Sequence, residues 1–117
     1  MPMTTIPVPA QPPGAARRDR SARLIQFTDT HLMRDPAGSI RGARTLPRLQ
    51  ACLAHARQHY FPVDAILLTG DIVHDEPEAY GAIDLLFGDL GAPVLVIPGN
   101  HDIPDEMRRQ LGHAPFQ

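Results

Sequence analysis

Two apolar runs in this chain end in the same way. "LLTGDIVHD" at residues 67–75 and "LVIPGNHD" at 95–102 each break at a glycine and deliver Asp, Asn or His immediately afterwards. Short runs of Ile, Leu and Val without polar alternation suit strands covered on both faces, the kind found in parallel sheets. Gly70 and Gly99 give the backbone freedom to turn, or room for a close approach, directly at the strand tip. An earlier stretch, "RLIQFTD" from Arg23, stops at Asp29 and places Ile25 and Phe27 on one face, Leu24 and Gln26 on the other.

Helical periodicity fills the gaps. From Leu46 the positions Leu49, Leu53, Ala56 and Tyr60 recur every three or four residues, with Thr45 as the expected N-cap and Pro47 in the tolerant first turn. Pro62 closes that helix. Asp75 with Glu78 three residues later has the spacing of a capping box, and the following helix turns Tyr80, Ile83, Leu86, Phe87 and Leu90 inward before Gly91 and Pro93 end it. Strand, helix, strand, helix, strand is the order of an α/β fold, with three mostly parallel strands and two covering helices. Right-handed crossovers put both helices on one face when the chain advances in one direction, so the other face is expected to be bare and to want further protein.

All three strands thus finish in candidate ligands. Asp29 and His31 follow the first, Asp71 and His74 the second, and Asn100, His101 and Asp102 the third. Parallel strands bring their carboxyl ends to one edge, where open α/β sheets bind ligands. Carboxylate, imidazole and amide donors without thiol suit Mn, Fe or Zn ions in a reactive site rather than a structural zinc. On extended backbone, Asp29 and His31 point the same way and can chelate one ion. Asp71 has two oxygens with which to bridge a pair of ions about 3.5 Å apart. His101 is placed to donate a proton or stabilise charge on phosphorus.

Charge supports this reading. Residues 62–107 hold ten carboxylates and no Arg, a repulsive segment that cations would relieve, while the whole chain carries 11 Arg, no Lys and a net charge of -2. That balance speaks against binding a nucleic-acid polymer. Residues 1–22, with Pro2, Pro7, Pro9, Pro12 and Pro13 before Arg17, Arg18 and Arg20, read as a disordered leader without a signal or membrane segment. A single cysteine, Cys52, excludes an internal disulfide and makes a cytoplasmic location the expectation.

Taken together, "FTDTHL" at 27–32, "GD" at 70–71 and "GNHD" at 99–102 resemble the first three blocks of the calcineurin-like metallophosphoesterases. "RLIQFTDTHL", "DAILLTGDIVHD" and "PVLVIPGNHD" look most like the class III cyclic nucleotide phosphodiesterases. The resemblance implies an α/β/β/α sandwich, of which residues 23–117 are the N-terminal half, and a site for two divalent metal ions. Asp29 and His31 would hold the first ion, Asp71 would bridge, and Asn100 would hold the second. His31, Asp71, Asn100 and His101 would face the substrate phosphate, with His101 as the catalytic residue and Asp102 orienting its ring. The implied reaction is hydrolysis of a phosphodiester, 3′,5′-cyclic AMP to AMP, by a dinuclear-metal-activated hydroxide.

The family pattern continues with a later histidine and a GHxH segment, and Gln117 is reached before either; "LGHAPF" supplies only His113. The sequence therefore reads as the first half of such an enzyme, completed by a C-terminal half or a second copy. Its rivals are an inactive remnant and an interaction fragment pairing through the exposed sheet. Simpler roles are open to several residues. Asp, Asn and Gly make turns at strand ends, and Asp102 could cap a following helix. His74 is expected at the pocket rim, His55 and His59 as solvated helix residues, Cys52 near the core, and Tyr80 and Phe87 in helix-to-sheet packing.

Overall fold

A computed structural model describes residues 21–117. The leader expected over residues 1–22 lies outside the described residues except for its last two. In chain order the elements are β1 (Leu24–Thr28), β2 (Ser39–Ile40), β3 (Ala43–Arg44), α1 (Thr45–His59), β4 (Ala65–Thr69), a 3-10 turn (Pro77–Ala79), α2 (Tyr80–Phe87), β5 (Val94–Ile97) and α3 (Pro104–Leu111). The expected strand and helix alternation is present. Strands β1, β4 and β5 form a parallel sheet in that spatial order, so the chain advances across it in one direction.

Register separates the two faces of the sheet. Ile25 pairs with Ile66 and Ile66 with Val94, and Phe27 with Leu68 and Leu68 with Val96. These six side chains share one face and meet Leu49 and Leu53 of α1, Ile83 and Phe87 of α2, and Met107 and Leu111 of α3 in a single core. The rings of Phe27 and Phe87 touch edge to face, with centroids 5.3 Å apart, which seats α2 against β1. Leu24, Leu95 and Ile97 alternate onto the other face and are 57%, 38% and 57% exposed. Among the described residues that face is bare, as follows when both crossovers use one side.

Several local expectations are corrected. Arg44, not Thr45, occupies the N-cap of α1, and no side chain caps that end. Asp75 and Glu78 form no capping box: Glu76 precedes the 3-10 turn without a side-chain cap, and Asp75 is drawn into a left-handed turn at φ 65°. Cys52 is exposed rather than near the core. The small antiparallel β2–β3 pair and helix α3 were not anticipated. "SIRGAR" has too few apolar residues to give a periodicity, whereas Ile103, Met107 and Leu111 do stand four apart along α3 and its N-cap.

The crowded carboxylates find cations from outside their own segment. Arg34 reaches Glu76 and Glu78 at 3.6 and 3.5 Å, and Arg109 reaches Glu106 at 2.6 Å. Among the described residues, no helix is long and apolar enough to cross a membrane.

The segment around Phe116 lies along β5 as a further parallel partner. Val94 N donates to Pro115 O, Val96 N to Gln117 O, and Gln117 N to Val94 O, at 2.8 to 2.9 Å. His113 anchors this segment: its Nδ1 is 3.0 Å from Ala114 O and its Nε2 is 3.4 Å from Asp84. The Ala114 carbonyl, and then the Asp84 carboxylate, raise the His113 pKa above its ordinary 6.5. A raised histidine pKa contributes stability below the unfolded value and loses it as pH rises through the folded one. Exchange protection of the Val96 and Gln117 amides, corrected for intrinsic rates, should therefore be greater at pH 6 than at pH 8. His113→Gln should remove the difference.

Candidate metal centre and its supporting turns

The strand tips are joined by a ladder that outlasts the strands. Beyond Thr28 and Thr69 the two chains continue side by side, with Asp29 N donating to Gly70 O, His31 N to Asp71 O and Leu32 N to Ile72 O at 2.9 to 3.0 Å. His74 N then donates back to Leu32 O, and Gly70 N reaches Ile97 O on the third strand at 2.7 Å. These bonds bring "TDTH" and "GD" into contact although some forty residues separate them in sequence.

Asp29, His31 and Asp71 all adopt left-handed backbone, with φ of 56°, 47° and 48°. Asp and His enter that region more readily than most residues, yet each such conformation costs about 1–3 kcal/mol and persists only where its surroundings enforce it. The turn aims the three side chains together. Asp29 Oδ1 and His31 Nε2 are 3.8 Å apart, and one donor atom from each of Asp29, His31 and Asp71 lies within 4.8 Å of the other two. Two carboxylates and an imidazole at this spacing fit a divalent transition ion.

Asp71 sits at the centre. Its Oδ1 accepts the His101 amide at 2.8 Å, linking it to the third tip and leaving its second oxygen for other partners. That amide hydrogen bond, with help from the His101 and His31 rings and from Asp29, holds its carboxyl below the usual aspartate value. Gly99 is required here by close approach. A Cβ on it would meet Asp71 Oδ1 at 2.7 Å and the Gly70 Cα at 2.8 Å, so the second and third tips touch backbone to backbone. Asn100 follows and is exposed at the tip.

Asp102 is corrected from a partner of the His101 ring to a buried anchor. It is 8% exposed and accepts from the amides of Ile72, Val73 and Gly99 and from the Tyr80 hydroxyl, all at 2.8 to 3.1 Å. Nor does it cap α3, whose N-cap is Ile103. The carboxylate beside His101 Nδ1 is that of Asp75, at 3.1 Å. Tyr80 does more than pack: its phenol donates to Asp102 and accepts from Ile103 N at 3.1 Å, and burial raises its pKa.

His74 is half-buried and reaches further in than the rim. Its Nδ1 is 3.2 Å from His31 Nδ1, and its ring stacks on that of His101. His55 and His59 are exposed, their rings 4.3 Å apart on the outer side of α1. Beside Asp29 and His31 a cleft of about 340 Å³ opens between the β2–β3 hairpin and α1, with Ile40, Ala43, Leu49 and Arg48 in its walls.

Removing the Asp102 carboxylate would strand three amides and a hydroxyl. Asp102→Ala is expected to cost about 3 kcal/mol or more, and Tyr80→Phe about 2 kcal/mol, in urea or thermal unfolding. If Asp102→Ala unfolds like the parent, the anchor role is wrong.

Comparison with known proteins agrees with this geometry. Residues 22–116 match the calcineurin-like phosphoesterase family. A probable cyclic nucleotide phosphodiesterase of Synechococcus sp. (strain ATCC 27144 / PCC 6301 / SAUG 1402/1) is 36% identical over 94 residues, which are 80% of this chain and 36% of that protein. The 3′,5′-cyclic adenosine monophosphate phosphodiesterases CpdA of Haemophilus influenzae and Escherichia coli K12 are each 34% identical, over 80% and 79% of this chain and 35% and 34% of their own lengths. The chain thus spans about a third of the length of the curated relatives it matches. On its motifs, its parallel sheet and this match, the chain belongs to the calcineurin-like phosphoesterase family.

Proposed function

We propose that this chain provides the metal-binding and phosphate-facing strand tips of a phosphodiesterase acting on a cyclic nucleotide, with 3′,5′-cyclic AMP converted to AMP as the preferred reaction. The observation that carries this reading is the convergence of Asp29, His31 and Asp71 into one donor cluster, with Asp71 hydrogen-bonded to the tip that bears Asn100 and His101. The names of the relatives supply the substrate class.

Asp29, His31 and Asp71 would hold the first divalent ion, and Asp71 with Asn100 the second. Such ions, Mn, Fe or Zn, polarise a phosphoryl oxygen and lower the pKa of water at neutral pH. The depressed pKa of Asp71 keeps it anionic and ready for that task. His101 supplies the proton. As the imidazolium, with Nδ1–H donated to Asp75, His101 carries a second proton on Nε2 to give to the departing ribose oxygen. The cleft between the hairpin and α1 mixes apolar Ile40, Ala43 and Leu49 with polar Thr45 and Arg48, walls that suit the nucleoside side of the substrate. Exposed Leu24, Leu95 and Ile97 support a reading in which further protein lies on the bare face, as a C-terminal half or a second copy.

Mn²⁺ binding and cyclic AMP turnover test the two halves of this reading separately. Asp71→Asn keeps a residue that tolerates left-handed backbone and should weaken Mn²⁺ uptake by calorimetry about a hundredfold, or about 2.7 kcal/mol. His101→Asn should leave uptake intact and lower turnover at least about a hundredfold. Unchanged Mn²⁺ affinity in Asp71→Asn would defeat the proposal.

A further inference from the structure

Three side chains beside the cradle form a second group of donors. His74 and His101 stack with ring centroids 4.4 Å apart at an interplanar angle of 26°. Asp75 Oδ1 is 3.1 Å from His101 Nδ1, and one donor atom from each of the three residues lies within 4.8 Å of the others. Of these, only His101 has a place in the site as the family resemblance outlines it. We propose that His74, Asp75 and His101 form an accessory site for one zinc-class divalent ion, distinct from the Asp29–His31–Asp71 cradle, and that its occupation withdraws His101 from the substrate.

The donor chemistry is selective. Two imidazoles and one carboxylate are a common ligand set for Zn²⁺, with a fourth position left for solvent, whereas Mg²⁺ and Ca²⁺ favour oxygen donors. Neighbouring ligands of a tetrahedral ion with bonds of about 2.1 Å stand about 3.4 Å apart, close to the Asp75–His101 separation. An imidazole has two ring nitrogens, so His74 can serve His31 through one and an ion through the other.

The backbone holds these residues without help from a metal. Asp75 N donates to His101 O at 3.0 Å, and His74 N to Leu32 O at 2.9 Å, so both are pinned to neighbouring turns. Asp75 lies at φ 65°, which turns its carboxylate back toward the third tip instead of onward into a helix cap. The site is also open to ions from solvent, since the Asp75 and His101 side chains are 66% and 41% exposed. Binding of the ion stands on this geometry alone. The inhibitory consequence rests on the proton-donor role proposed for His101.

Zinc titration of the full chain, followed by calorimetry, tests the site in an Asp29→Asn/Asp71→Asn background that disables the cradle. One Zn²⁺ should still bind, and adding either Asp75→Asn or His74→Gln should weaken it at least tenfold. Asn tolerates left-handed backbone, and Gln keeps a hydrogen-bonding group toward His31, so both variants should retain the parent melting transition. Co²⁺ in place of Zn²⁺ should give the visible absorption of a tetrahedral centre only when His74 and Asp75 are present. Loss of all Zn²⁺ uptake in the cradle-disabled background, or uptake indifferent to both substitutions, would overturn the site. In the Mn²⁺-loaded parent, excess Zn²⁺ should slow cyclic AMP turnover at least tenfold, and His74→Gln should lose that sensitivity relative to its own zinc-free rate. Zinc bound at the accessory site with turnover unaffected would overturn the inhibitory role and leave the site standing. Zinc bound there with no turnover under any condition would count instead against the phosphodiesterase reading.

Discussion

A single buried carboxylate holds the working end of this sheet together. Asp102 receives two amides from the turn after β4, one amide from the turn after β5 and the hydroxyl of Tyr80 from α2. A buried charge is costly unless hydrogen bonds surround it, and here the surrounding donors come from three separate segments. Satisfying Asp102 therefore fixes the second and third strand exits relative to each other and to the helix between them. The left-handed conformations at Asp71 and Asp75 are sustained by that framework, as are the short contacts between Gly70 and Gly99.

The sheet explains why its polar residues gather at one edge. Its covered face is spent on a single apolar core reaching α1, α2 and α3. Its opposite face carries Leu24, Leu95 and Ile97 in contact with solvent. The open face adds Gln26, Thr28 and Thr69, with Gln26 and Thr69 bonded to each other, so the turns at the carboxyl ends, where backbone groups are no longer committed to the interior of the sheet, carry the metal-type donors. There the ladder between residues 29–32 and 70–72 continues the strand pairing just far enough to align Asp29 and His31 with Asp71.

Much of this was legible in the sequence because it depends on periodicity and order. Uninterrupted apolar runs ending in Gly-Asp and Gly-Asn-His announced parallel strands with polar tips, and helical spacing located the cores of α1 and α2. The bare face followed from topology alone. What escaped was decided by three-dimensional partners. Asp75 and Glu78 have capping-box spacing, but a hydrogen bond from the Asp75 amide to His101 O captures the turn first. Asp102 looks like any helix-entry aspartate until its four donors are assembled, and Tyr80 looks like simple packing until its hydroxyl is placed. His74 stands out in the sequence as a candidate at the second strand tip, expected at the pocket rim, yet nothing in its spacing shows that it meets His31. Helix α3 and its N-cap carry Ile103, Met107 and Leu111 at helical spacing, a signal that could have located it, whereas the pairing of residues 115–117 with β5 is too short to leave a hydrophobic pattern.

The left-handed turns also limit which genetic changes this site can absorb. At Asp29, His31, Asp71 and Asp75 the backbone shape alone excludes β-branched and most bulky residues, while the chemistry proposed there calls for oxygen or imidazole donors. Asn, Asp and His satisfy both filters, and Gly satisfies only the first. Drift at these codons is thereby channelled toward residues that still resemble a donor. A copy that had lost its chemistry would therefore keep this outline long afterwards.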